Sequence, residues 1–344
     1  MKDDIRYFNF VGLAFELTDQ CPIICRSCLR DCRPDKNNVM SFEQICKIID
    51  NRVTRNTIRQ VGFSGGECFL YPELLERACQ YIQDTLGVPI SITTNAFWAE
   101  TPRKTQKILK LFFHAGLRSL LISVDDFHLQ FLTEKCITNC VQEARNIGIK
   151  VTLQVIVTKS SRQLVDFKNL FQFDSNDDGI EWIDNPCDPV GRAAIKIPES
   201  EFERNVLEDR TICSIFRLLS IRLDGSVVIC CGPGSEAKGM IIGNAFEESL
   251  DEIIDRANLS PIMNALALYG GPQLLFKVLS DNDVNKYNNL RFTSSCEACY
   301  KLFSDTTAIE ILNKALSSER VFLLAERFGL QSKLISVLKN MNSV

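Results

Sequence analysis

The chain has 344 residues, 45% of them apolar, and its 39 basic and 43 acidic side chains leave a net charge of −4. That balance leaves no electrostatic footprint for a nucleic acid. No apolar run approaches the ~18 residues of a membrane span, and the opening MKDDIRYFNF lacks the regions of a signal peptide. The expectation is a cytoplasmic protein with no membrane or nucleic-acid partner, long enough for one large α/β domain and a smaller module.

FVGLAFEL (10–17) reads as a strand, followed by a cysteine-rich loop and a helix over 41–52 that Ser41 is placed to cap. RQVGFSGG (59–66) is a short strand entering a glycine turn. Residues 71–87 form an amphipathic helix, with Pro72 in its first turn and Gly87 after its last. Strands at 89–96, 118–125, 150–158 and 179–184 then alternate with helices at 101–116, 130–147 and 161–173. Six strands with crossover helices imply a parallel sheet with right-handed connections. Six βα units suit a partial barrel better than the eight of a full one, with ligands at the carboxyl ends of the strands. After about 195 the pattern changes. IRLDGSVVIC (221–230) reads as a hairpin turning at Asp224-Gly225, followed by helices at 245–256, 260–269 and 273–280 and a helical stretch at 323–340. These changes divide the chain into an α/β barrel domain (1–200), a smaller α+β module (201–304) and a terminal helical segment (305–344).

Fifteen cysteines in a cytoplasmic chain do not form a disulfide framework, because that compartment keeps thiols reduced. Metal binding is the expected use for many of them. CPIICRSC places Cys21, Cys25 and Cys28 at C-x3-C-x2-C spacing, directly after the first strand. Four thiolates close a tetrahedral zinc or iron–sulfur site; three leave one iron of a cubane open to a substrate or cosubstrate. A zinc site that borrows a distant fourth ligand is the rival reading. Ser64-Gly65-Gly66-Glu67 ends the second strand, where two glycines allow close backbone approach and a carboxylate can accept from an ammonium. Thr94 and Asn95 end the third strand, and Ser123 and Asp125 end the fourth, with His128 just beyond. His114 lies near a helix end and reads as packing.

This order of motifs resembles the radical S-adenosylmethionine (radical SAM) superfamily, across roughly residues 10–300. The resemblance implies a partial (β/α)6 barrel in which Cys21, Cys25 and Cys28 hold a [4Fe-4S] cluster that binds S-adenosylmethionine. It assigns cofactor contacts to the turn Ser64-Gly65-Gly66-Glu67 and, by position, to Ser123 and Asp125; Thr94, Asn95 and His128 lie at the same edge and are expected to contact cofactor or substrate from their place there. Arg192, in the Pro-x-Gly-Arg-Ala pattern at 189–193, joins them. One departure is Ser27, where the family places an aromatic residue before the third cysteine.

Downstream, Cys213 and Cys230 flank Gly225 as C-x11-G-x4-C, and Cys296 and Cys299 follow as C-x2-C. This resembles the SPASM/twitch auxiliary-cluster modules. With no cysteine after Cys299, the resemblance implies the shortened version with one further [4Fe-4S] cluster. Four-cysteine zinc is the alternative. Cys231 adjoins Cys230, and neighbours on a strand point to opposite faces. A free Cys231 thiol facing the barrel mouth is similar to the layout of radical SAM peptide epimerases, in which a cysteine gives hydrogen to the substrate radical. The rival reading is a small buried side chain.

The expected function is therefore a radical SAM enzyme on a peptide or small molecule, with a flavodoxin or ferredoxin as electron donor. Epimerisation of a ribosomally made peptide through Cys231 leads. A dehydrogenase or a thioether or carbon–carbon cross-linking enzyme is the alternative, and a structural zinc-binding interaction protein is the reading of another class. No leader-peptide recognition domain is visible in the sequence. Cys32, Cys46, Cys68, Cys79, Cys136, Cys140 and Cys187 carry no spacing logic and are expected to pack, with Cys68 and Cys187 near strand ends.

Overall fold

The computed structural model describes residues 10–173, 180–206, 218–266, 271–281, 287 and 290–316. Cys213 and the expected helical stretch 323–340 lie outside the described residues. Nine strands form one sheet in the order β6-β5-β4-β3-β2-β1-β7-β8-β9. The first six are β1 (Gly12–Thr18), β2 (Gln60–Gly65), β3 (Ile90–Thr94), β4 (Leu117–Ser123), β5 (Lys150–Val157) and β6 (Ile180–Pro186). Each is parallel to the next, so all six carboxyl ends share one edge. β6 stands at an edge and does not pair with β1, which makes the barrel partial.

The crossovers are helical: α1 (Phe42–Ile49), α2 (Arg52–Thr57), α3 (Pro72–Leu86), α4 (Pro102–His114), α5 (Asp126–Leu129), α6 (Glu134–Ile147) and α7 (Leu164–Phe171). The expected helix at 41–52 is two helices, because Asn51 leaves the helical conformation and its side chain caps α2 through Val53 N–H. α5 is an element the sequence reading missed; Asp125 caps it. His114 is exposed at the end of α4 rather than packed, with its ring against Phe113.

Strand alternation separates two faces. Leu13, Phe15, Phe63, Ile92, Ile122 and Leu153 are fully or almost fully buried against the helices. The alternate positions Glu16, Ser64, Thr93, Ser123 and Gln154 are only half-buried. This second, inner face is less buried and carries most of the polar strand positions, with the apolar Leu121 and Ile156 interspersed.

β7 (Leu218–Ile221) pairs parallel to β1, and β8 (Ser226–Val228) and β9 (Ile241–Asn244) continue antiparallel. The hairpin turns where expected: Gly225 has φ +83°, and Arg222 N–H reaches Ser226 O at 2.9 Å. The sheet therefore runs across the expected boundary near 200. Six more helices complete the described chain: α8 (Ala193–Lys196), α9 (Leu250–Leu259), α10 (Pro261–Asn264), α11 (Gly271–Asp281), α12 (Ser295–Ser304) and α13 (Thr306–Ala315). α9 begins later than expected because Ser249 and Glu252 form its capping box. Among the described residues no helix is long and apolar enough to cross a membrane.

Candidate active site

The loop after β1 carries Cys21, Cys25 and Cys28 over the carboxyl edge of the barrel. Cys21 and Cys25 are buried and Cys28 is half-buried. Backbone bonds fold the loop on itself: Cys28 N–H reaches Cys25 O at 3.2 Å, and Cys21 N–H reaches Arg33 O at 3.3 Å. Burial pushes the Cys21 thiol up to about 12, although Asn95 Nδ2 donates to its Sγ at 3.6 Å. Cys28 is held far below the usual thiol range by hydrogen bonds from the Cys25 and Cys32 thiols, which outweigh burial. Those bonds and burial push Cys25 and Cys32 up.

Cys32 was not anticipated as part of this group. Its backbone N–H lies 3.3 Å from Cys28 Sγ, and its side chain packs with Cys21 and Ile23. The sequence signal was there, since Cys32 follows Cys28 at four residues, but that spacing belongs to no pattern considered.

Arg192 holds the loop from above. Its Nη1 donates to Cys25 O at 2.7 Å, its Nη2 to Cys32 O at 2.6 Å, and its Nε to Asp31 at 3.0 Å. Arg192 N–H also reaches Cys28 O at 2.9 Å. The preceding Gly191 allows this approach: at φ +60°, a Cβ there would sit 2.1 Å from Leu29 O. Every guanidinium nitrogen is engaged within the loop, so Arg192 acts as a clamp on it.

Glu67 and Asp125 are likewise engaged by neighbouring groups of the protein. Glu67 is fully buried and accepts from Thr94 Oγ1 at 2.9 Å, Asn95 N–H at 2.8 Å and Phe69 N–H at 3.2 Å. It ties the end of β2 to the end of β3. The glycines before it serve the cysteine loop: a Cβ on Gly66 would fall 2.0 Å from Gln20 O, and one on Gly65 2.3 Å from Thr18 O. Thr94 Oγ1 also accepts from Ala96 N–H and the Trp98 indole. Asp125, fully buried, accepts from the backbone of Phe127, His128 and Ile156, and its Oδ1 lies 2.7 Å from His128 Nδ1. Burial works against a charged His128, but the Asp125 carboxylate outweighs it and raises the imidazole above its usual value. Of the predicted contacts, Ser64 and Ser123 lie on the partly open inner face, and His128 sits at its rim.

Burial raises the Glu67 carboxyl from the usual carboxylate range to about 7, against its three donors. The folded protein therefore holds a proton there that the unfolded chain releases between pH ~4.5 and ~7, so stability falls as pH rises through that window. The full effect is up to ~3 kcal/mol. Comparing melting temperatures from pH 4.5 to 7.5 checks this. Glu67→Gln should be less stable overall but lack that share of the slope; a parallel slope in both proteins would contradict it.

A second group forms where the 3-10 turn Pro233–Glu236 packs on α12. A Cβ on Gly234 would lie 3.0 Å from Cys299 Cβ and 3.6 Å from Cys230 Sγ, and one on Gly232 would lie 3.6 Å from Cys296 Sγ. Cys230, Cys296 and Cys299 thus gather around one short turn. Asp188, after β6, accepts from the hydroxyls of Ser294 and Thr293 and so anchors the start of α12 to the barrel loop. Cys231 is exposed while Cys230 is half-buried. The strand argument for opposite faces does not apply, because β8 ends at Val228 and both cysteines lie in the turn beyond it. Cys68, Cys79, Cys136, Cys140 and Cys187 are buried as expected, and Cys187 packs with Cys25 and Phe127.

Buried thiols, one of them preset toward thiolate, suit iron–sulfur ligation. Among the described residues, no three His, Cys, Asp or Glu side chains close around a single ion. A cubane instead takes one thiolate per iron at separated corners. Residues 15–171 match the family model of the radical SAM superfamily, and residues 213–300 match that of an iron–sulfur cluster-binding domain, SPASM. The chain carries a radical SAM domain and a SPASM domain. It is a radical SAM enzyme, and these domains imply binding of S-adenosylmethionine and iron–sulfur clusters. Its radical SAM domain contains the Cys21–Cys28 loop, and its SPASM domain begins at Cys213 and takes in Cys299.

One relative is a Bacillus subtilis (strain 168) protein named for peptide biosynthesis, YydG. It is 21% identical over 304 residues, which cover 86% of this chain and 93% of that protein. GTP 3′,8-cyclase of Rhodococcus opacus (strain B4) is 27% identical over 95 residues, covering 26% of each chain. Among solved structures, native anSMEcpe with bound AdoMet and Cp18Cys peptide has a TM-score of 0.50 and 11% identity, covering 88% of this chain and 98% of that one. That likeness is one of fold.

Proposed function

We propose that this radical SAM enzyme modifies a ribosomally made peptide by hydrogen abstraction from an unactivated carbon, and that the modification is epimerisation with Cys231 as hydrogen donor. In this reading Cys21, Cys25 and Cys28 hold one [4Fe-4S] cluster, and Cys230, Cys296, Cys299 and Cys213 hold a second. When bound, the first cluster and S-adenosylmethionine supply reductive sulfonium cleavage and a carbon radical strong enough to take hydrogen from substrate. The protein's part is to fix the cysteine loop through Arg192, brace the strand ends through Glu67 and Asp125, and offer a partly open inner face. Ser64, Ser123 and His128 are the groups proposed to contact cosubstrate or substrate there.

The observation that carries the epimerase reading is that Cys231 is exposed beside a cysteine that joins Cys296 and Cys299. An exposed thiol there can give its hydrogen atom to a substrate radical. The resulting thiyl then needs one electron, for which a flavodoxin or ferredoxin is the proposed source, and one proton, taken from solvent. The peptide substrate class is supported by the similarity to YydG, named for peptide biosynthesis. The domain division proposed is 1–200, 201–304 and 305–344.

The test is Cys231→Ala, incubated with a candidate peptide in heavy water. Wild type should add one dalton per altered residue. The variant should still form 5′-deoxyadenosine but yield no D-residue. Unchanged product would remove Cys231 from the mechanism. A loss of two daltons in wild type would favour the second reading, dehydrogenation or cross-linking. The gathering of three cysteines around the Pro233–Glu236 turn supports that reading too, since a cluster there could accept the electron.

A further inference from the structure

Arg30, two residues beyond Cys28, reaches from the first cysteine loop to the second cysteine group. Its guanidinium pairs with Glu16 on the inner face of β1, lies 3.1 Å from Glu236, and donates to Ser235 Oγ at 3.3 Å. Ser235 and Glu236 belong to the turn around which Cys230, Cys296 and Cys299 gather. Arg222, at the hairpin tip, closes the far side, 2.9 Å from Glu236 and donating to Ser235 O. The Arg30 and Glu16 side chains are only 18% and 12% exposed. A cavity of about 500 Å³ opens beside them, lined also by Thr18, Lys36 and Asp224.

An arginine stays charged in such a place, since its guanidinium does not deprotonate in proteins. Its charge stands two residues from Cys28 and against the Pro233–Glu236 turn around which Cys230, Cys296 and Cys299 gather. Water screens it weakly there, because the effective dielectric is far below that of bulk solvent. A fixed positive charge favours the reduced, more negative form of an iron–sulfur cluster.

We propose that Arg30, positioned by Glu16 and Glu236, is a charged bridge between the two iron–sulfur sites and raises the reduction potential of the auxiliary one, biasing it toward accepting an electron. This rests on the two-cluster reading above. Arg30 is a positioning and tuning residue, not a catalytic one.

The test is an EPR-monitored redox titration of the reconstituted full chain, with iron counted in the same samples. Arg30→Gln should move the auxiliary potential to more negative values with ~8 irons per chain retained. Arg30→Lys should stay near wild type, and Arg222→Gln should shift it in the same direction by less. An unmoved potential in both Gln variants at full iron content overturns the inference and leaves the two-cluster reading intact. Equal iron loss in Arg30→Gln and Arg30→Lys overturns it too, in favour of a purely structural side chain. Wild-type iron near ~4 overturns the two-cluster reading, and the inference with it.

Discussion

Replacing Cys25 with alanine is expected to abolish 5′-deoxyadenosine formation and remove about half of the iron. Cys25 is 7% exposed and shares its thiol hydrogen bond with Cys28. A cubane held by three thiolates loses a corner when one is removed. The structure sets a sharp control, because Cys32 approaches Cys28 as well. Cys32→Ala should keep the iron and most of the cleavage activity. If instead Cys32→Ala is the variant that loses both, the ligand set is Cys21, Cys28 and Cys32, and the spacing argument is wrong. Iron analysis and quantitation of 5′-deoxyadenosine in both variants decide between them.

The second large effect is expected from Arg192→Leu. Arg192 is 6% exposed and satisfies two carbonyls of the cysteine loop while pairing with Asp31. Each hydrogen bond to a charged group is worth ~1.5–3 kcal/mol, so the loop should lose ~3–5 kcal/mol of local stability. The variant should retain the auxiliary iron, lose the first site's iron, and show faster amide exchange over residues 25–33. Arg192→Lys should rescue only partly, since an ammonium on a flexible stem cannot span both carbonyls and the carboxylate at once. Full iron content and unchanged exchange in Arg192→Leu would show that the loop holds itself. Asp31, with φ +51°, is where the loop turns back toward Arg192, so a milder version of the same result is expected from Asp31→Ala.

Several parts of this architecture were legible from residue order. The six barrel strands, the triplet at Cys21, Cys25 and Cys28, the turn at Gly65-Gly66 and the hairpin at Asp224-Gly225 all arise from contacts between near neighbours. Alternation of apolar residues along β1 and β5, a glycine at φ +83° and a seven-residue spread of thiols need no distant partner to be recognised. The sequence likewise pointed to the right edge of the sheet, because parallel strands joined by helices must end together.

What the side chains do at that edge depended on residues far away in the chain. Glu67 accepts from Thr94 and Asn95, some 27 residues on. Asp125 is consumed by its own helix cap and by Ile156. Arg192 is paired across 161 residues with Asp31, and Arg30 across 205 with Ser235. A buried charge takes whichever donors and acceptors folding brings within ~3 Å, and no local pattern records which those are. The residues of this chain alone indicated the six alternating strands, the close-set thiols and the hairpin turn, because patterns between sequence neighbours record them. Only the tertiary structure decided which polar groups are spent on bracing and which face the open side, because desolvated charges must be satisfied by partners that the chain meets only once folded.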